Sequence, residues 1–249
     1  MKGHGDTLIT VAELAKLTAL SLEEVKEDVE QLESQGLVCV FPMRKDIYVW
    51  HSDSRRKARQ TIQDALKAYE ERFPYRYGMK KAEVQATHFQ KIKANVFDKI
   101  LEMLIDDGCL RRVDEFLCTP EYEVKKDGTY DKVSGILLDT FGKAKYDFAR
   151  YSEIDFKGVD RMIGDDILNI LLEEQKIVKV TDDMYTLKEY MERAKEVIKE
   201  KLREDPLITI AQVRDLFETS RKSAKPILEY MDSIKVTKKT GAESERIAY

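Results

Sequence analysis

Cations gathered at the start of a helix can hold phosphate, and the last stretch of this chain gathers them so. Ser220-Arg221-Lys222-Ser223-Ala224-Lys225-Pro226 opens a predicted helix, and Lys238-Lys239 fall in a predicted hairpin just behind it. A helix start presents unpaired N–H groups and a partial positive charge, so it attracts anions. Arg221, Lys222 and Lys225 add full charges to that end, and Ser220 is a good N-cap. Lysines position a phosphate backbone, whereas arginine can also stack on an unpaired base or grip a guanine edge bidentately. The competing reading is a solvated charged surface. Nothing comparable points to catalysis. His4, His51 and His88 have no carboxylate or nucleophile at a recognisable spacing. Asp106-Asp107, Asp165-Asp166 and Asp182-Asp183 are expected at helix ends or turns, where carboxylates are common, not as a metal constellation. The expectation is a binding protein, not an enzyme, with no catalytic residue, no metal site and no cofactor in this chain.

These cations need a scaffold, and the chain carries an internal copy of it. Leu8-Ile-Thr-Val-Ala-Glu-Leu-Ala-Lys-Leu17 aligns with Leu207-Ile-Thr-Ile-Ala-Gln-Val-Arg-Asp-Leu216 without gaps, at an offset of 199. Each stretch holds a capping box, Thr10 with Glu13 and Thr209 with Gln212. The offset carries Ser21 onto Ser220, Leu32 onto Met231 and Leu37 onto Val236. In the first copy a helix over about 10–17 precedes one from Ser21, with Glu24 at its box position, to about Gln35. Leu22, Val25, Val29 and Leu32 share one face of the second helix. Gly36 suits a left-handed cap, and 37–41 and 47–50 read as a hairpin around Pro42-Met-Arg-Lys-Asp46. Helices closed by a two-stranded wing make a winged helix.

The pattern recurs. A long helix over 54–73 should bury Ala58, Ile62, Ala65, Tyr69 and Phe73, with Arg55, Arg56, Lys57 and Arg59 as a solvated basic start or a secondary phosphate contact. Helices at 80–87 and 95–107 follow, with Val96, Ile100, Met103 and Leu104 inward, then Gly108 and a hairpin over 109–118. Thr119-Pro120 marks a boundary. Helices at 133–141 and 163–175 lead to a hairpin over 176–187, and a helix over 188–203 leads to the last copy. Pro226 lacks an N–H and should interrupt early bonding in the last module's second helix. The fold class is mainly α with small β-hairpins, four tandem winged-helix modules in an extended array. The boundaries are 1–53, 54–118 with a linker helix, 119–187, and 188–249 with a linker helix.

The first copy serves as a control for the last. Its second helix carries Glu23, Glu24, Glu27, Asp28, Glu30 and Glu33 against a lone Lys26, a face that repels phosphate. Where it has Leu22, Glu23 and Lys26, the last copy has Arg221, Lys222 and Lys225; where it has Cys39 and Val40, the last copy has Lys238 and Lys239. The acidic version suits the same scaffold, so the cations are not a folding requirement. The bulk charge agrees. Residues 206–249 hold 8 Lys+Arg against 6 Asp+Glu, within a chain of net −4. An anionic partner should therefore prefer this end. No run of 18 apolar residues and no signal-peptide pattern occurs, so the chain is read as cytosolic. Cys39, Cys109 and Cys118 lack metal-ligand spacing and read as buried thiols.

At these residues the chain resembles SelB, the bacterial selenocysteine-specific elongation factor family. The carrying segments are Thr219-Ser-Arg-Lys-Ser-Ala-Lys-Pro-Ile-Leu-Glu-Tyr-Met-Asp232, Val236-Thr-Lys-Lys239 with Gly241, and Arg72-Phe-Pro-Tyr-Arg-Tyr-Gly-Met79. The resemblance implies that the last winged helix binds the mRNA hairpin (SECIS) beside an in-frame UGA codon. It implies RNA contacts at Ser220, Arg221, Lys222, Lys225, Lys238 and Lys239, with Arg246 as the wing's last cation. It further implies a cytoplasmic monomer reaching the ribosome and selenocysteyl-tRNA through the full-length factor, with GTP and Mg in N-terminal domains. No Gly-x-x-x-x-Gly-Lys-Ser/Thr occurs, so the chain looks like a C-terminal fragment. Ser223 stands where the family often has Tyr, and Lys238-Lys239 where it has arginines. Two other classes fit a winged-helix array: a DNA-binding regulator, and a protein-docking scaffold whose acidic faces meet partners.

Overall fold

The computed structural model describes residues 8–241 and 244–249, so His4, Ala242 and Glu243 lie outside it. The chain divides into two compact units, 1–124 and 125–249, each with two three-stranded antiparallel sheets.

In the first unit, β1 (Ile9–Thr10) leads into α1 (Val11–Thr18) and α2 (Leu22–Ser34), closed by β2 (Val38–Pro42) and β3 (Ile47–His51). Both capping boxes form. Thr10 Oγ1 accepts from Glu13 N–H at 3.1 Å while Glu13 accepts from Thr10 N–H at 2.9 Å; Ser21 and Glu24 do the same at 3.2 and 2.9 Å. α3 (Ser52–Arg72) then leads to β4 (Met79–Lys80), α4 (Lys81–His88), α5 (Ala94–Asp106), β5 (Arg111–Val113) and β6 (Phe116–Cys118).

The wings differ from the expected two-stranded form. In each sheet a two-residue strand ahead of the module's first helical turn pairs with the second wing strand, as Ile9 does with Val49 and Met79 with Leu117. The buried stripe of α3 also differs. Ala58 and Ile62 are buried as expected, but Leu66 and Glu70 take the places assigned to Ala65, Tyr69 and Phe73. Glu70 is tolerated there because its carboxylate accepts from Thr119 N–H at 2.6 Å and Thr119 Oγ1 at 2.7 Å. Tyr69 and Phe73 instead pack on each other with tilted rings, and Arg76 lies 3.9 Å from the Phe73 ring centroid. Cys39 is half-buried and accepts from Arg55, while Cys109 and Cys118 are buried. Arg55 also pairs with Asp107.

In the second unit, α6 (Gly128–Ala144) precedes β7 (Ala149–Arg150), α7 (Arg161–Glu173), β8 (Ile177–Lys179) and β9 (Met184–Leu187). A single 3₁₀ turn, Tyr151–Glu153, stands where the other modules have their first helix. Asp165 and Asp166 lie inside α7 rather than at its end, and Asp165 accepts from the Tyr151 hydroxyl at 2.5 Å. Burial among Phe156 and Tyr185 and this bond hold the Tyr151 phenol well above its ordinary range. Then come α8 (Lys188–Glu204), β10 (Ile208–Thr209), α9 (Ile210–Leu216), α10 (Arg221–Ser233), β11 (Thr237–Lys239) and β12 (Glu245–Ala248). The core of this last module joins Met191, Ala194 and Ile198 of α8 to Ile210 and Val213 of α9 and Ala224, Ile227, Leu228 and Met231 of α10. No described helix is long and apolar enough to cross a membrane.

Two predictions follow from local chemistry. Gly78 has φ of +140°, and a Cβ there would lie 2.3 Å from the Leu117 carbonyl oxygen. Gly78→Ala should therefore destabilise the first unit by about 2–3 kcal/mol, read by urea unfolding. Separately, the bonds from Thr10 and Ser21 hold the Glu13 and Glu24 carboxyls below their usual range. A lowered folded pKa means that the stabilisation is present above the usual carboxylate range and is lost as pH falls through the folded value. Gln212, which does the same job for Thr209 at 2.7 Å, does not titrate. Amide chemical shifts of Glu13 and Glu24 should titrate with midpoints below that of free glutamate, and the amide of Gln212 should not.

Candidate nucleic-acid interface

The site begins with the turn between α9 and α10. Thr209 caps α9 through its box with Gln212. Glu218 then takes a positive φ of 48°, which swings the chain into Thr219 and Ser220. Ser220 caps α10, its Oγ accepting from Ser223 N–H at 3.2 Å. The first turn of α10 contains no acid, whereas that of α2 contains Glu23 and Glu24. α2 and α10 are both 13 residues long and start 199 residues apart, so the control drawn from the sequence holds in register. The six acids of α2 named above are exposed, and so is Lys26.

Pro226 does not end α10, which runs on to Ser233. Its ring is buried with Ala224, Ile227 and Leu228 against the core. The missing N–H deprives only the Lys222 carbonyl of its intrahelical donor. Apolar packing of the following turns outweighs that one lost bond.

The structure places the cations unequally. Ser220, Arg221, Lys222, Lys238 and Lys239 are exposed. Lys225 is half-buried and lies 3.8 Å from Glu229, one turn on. Lys222 also lines a cleft of about 770 Å³ together with Arg150 and Lys157 from the preceding module, opposite Asp139, Asp147, Glu153 and Asp155. Mixed charge in that cleft makes it a poor phosphate site, and the exposed cations stand on the open side of the helix start and on the wing.

Arg246 departs from expectation. Its side chain is 0% exposed, and Nε donates to Asp232 Oδ2 at 2.6 Å. Strand alternation is the cause: Arg246 lies on the face of the sheet that turns toward α10, the face it shares with its cross-strand partner Lys239 and with Thr237, and there Asp232 also accepts from Thr237 Oγ1 at 2.7 Å. Arg246 therefore fastens the wing to α10 and offers nothing to a ligand.

Asp147 was not anticipated. Its Oδ1 accepts from Thr219 Oγ1 at 2.5 Å and from Ser220 N–H at 3.3 Å, and its carbonyl accepts from Ser223 Oγ at 3.4 Å. Thr219 Oγ1 also reaches the Tyr146 carbonyl at 3.0 Å, and the Tyr146 ring packs 4.6 Å from Phe217. The start of α10 is thus pinned from 72 or more residues away in sequence. No local pattern around Asp147 signals that role. Among the described residues, no group of three or more His, Cys, Asp or Glu side chains could hold a metal ion.

Comparison with known proteins bears on this surface. Residues 63–117 and 200–243 each match a family model described as the winged helix of elongation factor SelB. A selenocysteine-specific elongation factor from Desulfomicrobium baculatum is 23% identical over 239 residues, covering 94% of this chain. The chain spans 37% of that relative's length. Among solved structures, a bacterial selenocysteine-specific elongation factor EF-Sec aligns over 84% of this chain and 32% of its own, at 16% identity and a TM-score of 0.48. The mRNA-binding domain of E. coli elongation factor SelB in complex with SECIS RNA aligns over 47% of this chain and 97% of its own, at 21% identity and a TM-score of 0.37.

The Arg246–Asp232 pair yields a prediction of its own. Removing Arg246 leaves the half-buried Asp232 carboxylate, 20% exposed, without its countercharge. Arg246→Ala should cost about 1.5–3 kcal/mol of stability in the second unit, measured by chemical denaturation. An effect on nucleic-acid affinity without loss of stability would contradict its internal placement.

Proposed function

We propose, from the premise that this chain belongs to the elongation factor SelB family, that its last winged helix binds an RNA hairpin and thereby tethers the factor to mRNA. The observation that carries the reading is the contrast within one chain. α2 and α10 share a scaffold and a register, yet α10 opens on Arg221, Lys222 and Lys225 with no acid in its first turn, whereas α2 sets six exposed acids against Lys26. In the family this hairpin is the SECIS element, and the tether serves UGA recoding during selenocysteine incorporation in the cytoplasm. GTP, its Mg, the selenocysteyl-tRNA and the ribosome are partners of the full-length factor in this proposal.

The mechanism is electrostatic docking followed by local reading. The backbone N–H groups at the start of α10, with Ser220 as cap, face a phosphate. Lys222, Lys238 and Lys239 neutralise neighbouring phosphates and fix orientation, with Lys225 contributing from the flank of the helix. Arg221, exposed and planar, is the side chain able to stack on a splayed base or grip a base edge. Hairpin loops suit this surface because their unstacked bases are accessible, whereas the deep groove of an RNA duplex is not.

The test is a titration of labelled RNA hairpins against duplex DNA at two salt concentrations. Hairpin RNA should bind tightly, and its affinity should fall steeply with salt. Arg221→Ala should cost about 1–3 kcal/mol on the cognate hairpin, and Lys238→Ala should reduce the salt slope by about 1. Lys26→Ala in the first module should change neither. Equal losses at Arg221 and Lys26 would sink the single-reader model. Equal affinity for duplex DNA would favour a DNA-binding regulator, and binding indifferent to Arg221 a protein-docking scaffold.

A further inference from the structure

We propose that Tyr249 is a stacking platform for an unpaired base, completing the wing side of the interface; the proposal rests on the RNA-binding reading above. Tyr249 is 65% exposed, and it is the one aromatic among the exposed large apolar side chains of the described residues. Its backbone is nonetheless fixed. The pairing of β11 with β12 ends at Thr237 and Ala248, and the Tyr249 N–H extends it by one bond, to the Val236 carbonyl at 3.1 Å. Val236 is buried in the core, so the sheet holds the backbone while the ring remains in water.

Two ammonium groups attend that ring. Lys235 Nζ and Lys238 Nζ each lie 5.9 Å from its centroid, and both side chains are exposed. An exposed aromatic face beside lysines is the pairing that single-stranded nucleic acids use: the base stacks and the cations take the flanking phosphates. Lys238 belongs to the cationic wing, so the ring continues the surface already described. The ring also supplies what that wing lacks. Lys238 and Lys239 are point charges without a planar face, and neither can stack on a base. Tyr249 provides the plane beside them, and every base can use it because every base has a π-face.

The experiment uses the whole chain and a hairpin recovered by it from a randomised-loop RNA library, with a fluorescent adenine analogue placed in the loop. Tyr249→Ala should weaken binding about tenfold, the equivalent of ~1.4 kcal/mol, within the range for one stacked base. Tyr249→Phe and Tyr249→Trp should stay within about twofold, because stacking needs the ring and not the hydroxyl. The slope of affinity against salt should not move, since the ring neutralises no phosphate. Loop fluorescence should be quenched on binding by the native chain and not by Tyr249→Ala. Unchanged affinity in Tyr249→Ala, an equal loss in Tyr249→Phe, or an equal loss on the stem duplex without its loop would each overturn the platform. Arg221→Ala measured alongside separates the two ideas. If it weakens binding and Tyr249→Ala does not, the platform alone falls; if neither does, the RNA-binding reading falls with it.

Discussion

The interface depends on the burial of one face of α10. A helix can hold cations outward in a fixed direction only if its opposite face is anchored. Ala224, Ile227, Leu228 and Met231 are all fully buried against α8 and α9. Full burial of each larger apolar side chain contributes about 1.5–3 kcal/mol. That is far more than the lost helical bond at Pro226, so the helix passes through the proline without breaking. Arg221 and Lys222 precede this anchored stretch by less than a turn and inherit its rigidity. Asp147 completes the restraint by bonding to Thr219 and Ser220 ahead of the helix, and Arg246 ties the wing to Asp232 near the helix's other end. The cations on the helix and on the wing are therefore held on one framework by buried contacts that touch no ligand.

This arrangement explains why carboxylates sit so close to the proposed phosphate-binding surface. Asp147 places a negative charge at the start of α10, where it competes with an incoming phosphate. Its oxygens are directed at Thr219 and Ser220, so part of the anion-binding capacity of the helix start is already used internally. The remaining attraction comes from side chains that extend beyond it, which makes Arg221 and the wing lysines more important than the helix dipole. An exposed ammonium gains little from fixed geometry, whereas a guanidinium gains much. In the proposed function, reading therefore falls to Arg221 and attraction to the lysines.

Much of the fold was legible because its signals are local. Thr10 with Glu13, Ser21 with Glu24 and Thr209 with Gln212 each mark a helix start within four residues, and each box forms. Gly36 and Gly108 mark helix ends and adopt positive φ. What escaped was set by distant partners. The short strand in each sheet is two residues long, too short to show alternation, and exists only because a wing strand lies beside it. Glu70 on a buried stripe makes sense only once Thr119 is seen to bond to it. Arg246 was expected as a wing cation from the family resemblance; which face of a two-sided strand turns inward depends on Asp232 across the module. The exposed cations of the site, by contrast, were recoverable because a scaffold repeated within one chain separates what folding requires from what it does not.

The acidity of the rest of the chain then acquires a physical role in the proposed function. RNA is a dense line of negative charge, and a uniformly basic protein would hold any RNA in the cell. With a net charge of −4 and exposed acids covering α2, the first module repels a phosphate backbone that approaches it. The repulsion acts over roughly the Debye length of about 8 Å at physiological salt, so it disfavours approach to the first module itself. In the proposed function, a patch at the start of α10 and its wing engages few phosphates at once. A short hairpin with an open loop satisfies such a patch fully, whereas a long duplex cannot bring more charge to it. On that reading, selectivity for a hairpin depends as much on the exposed acids of α2 as on the cations of α10.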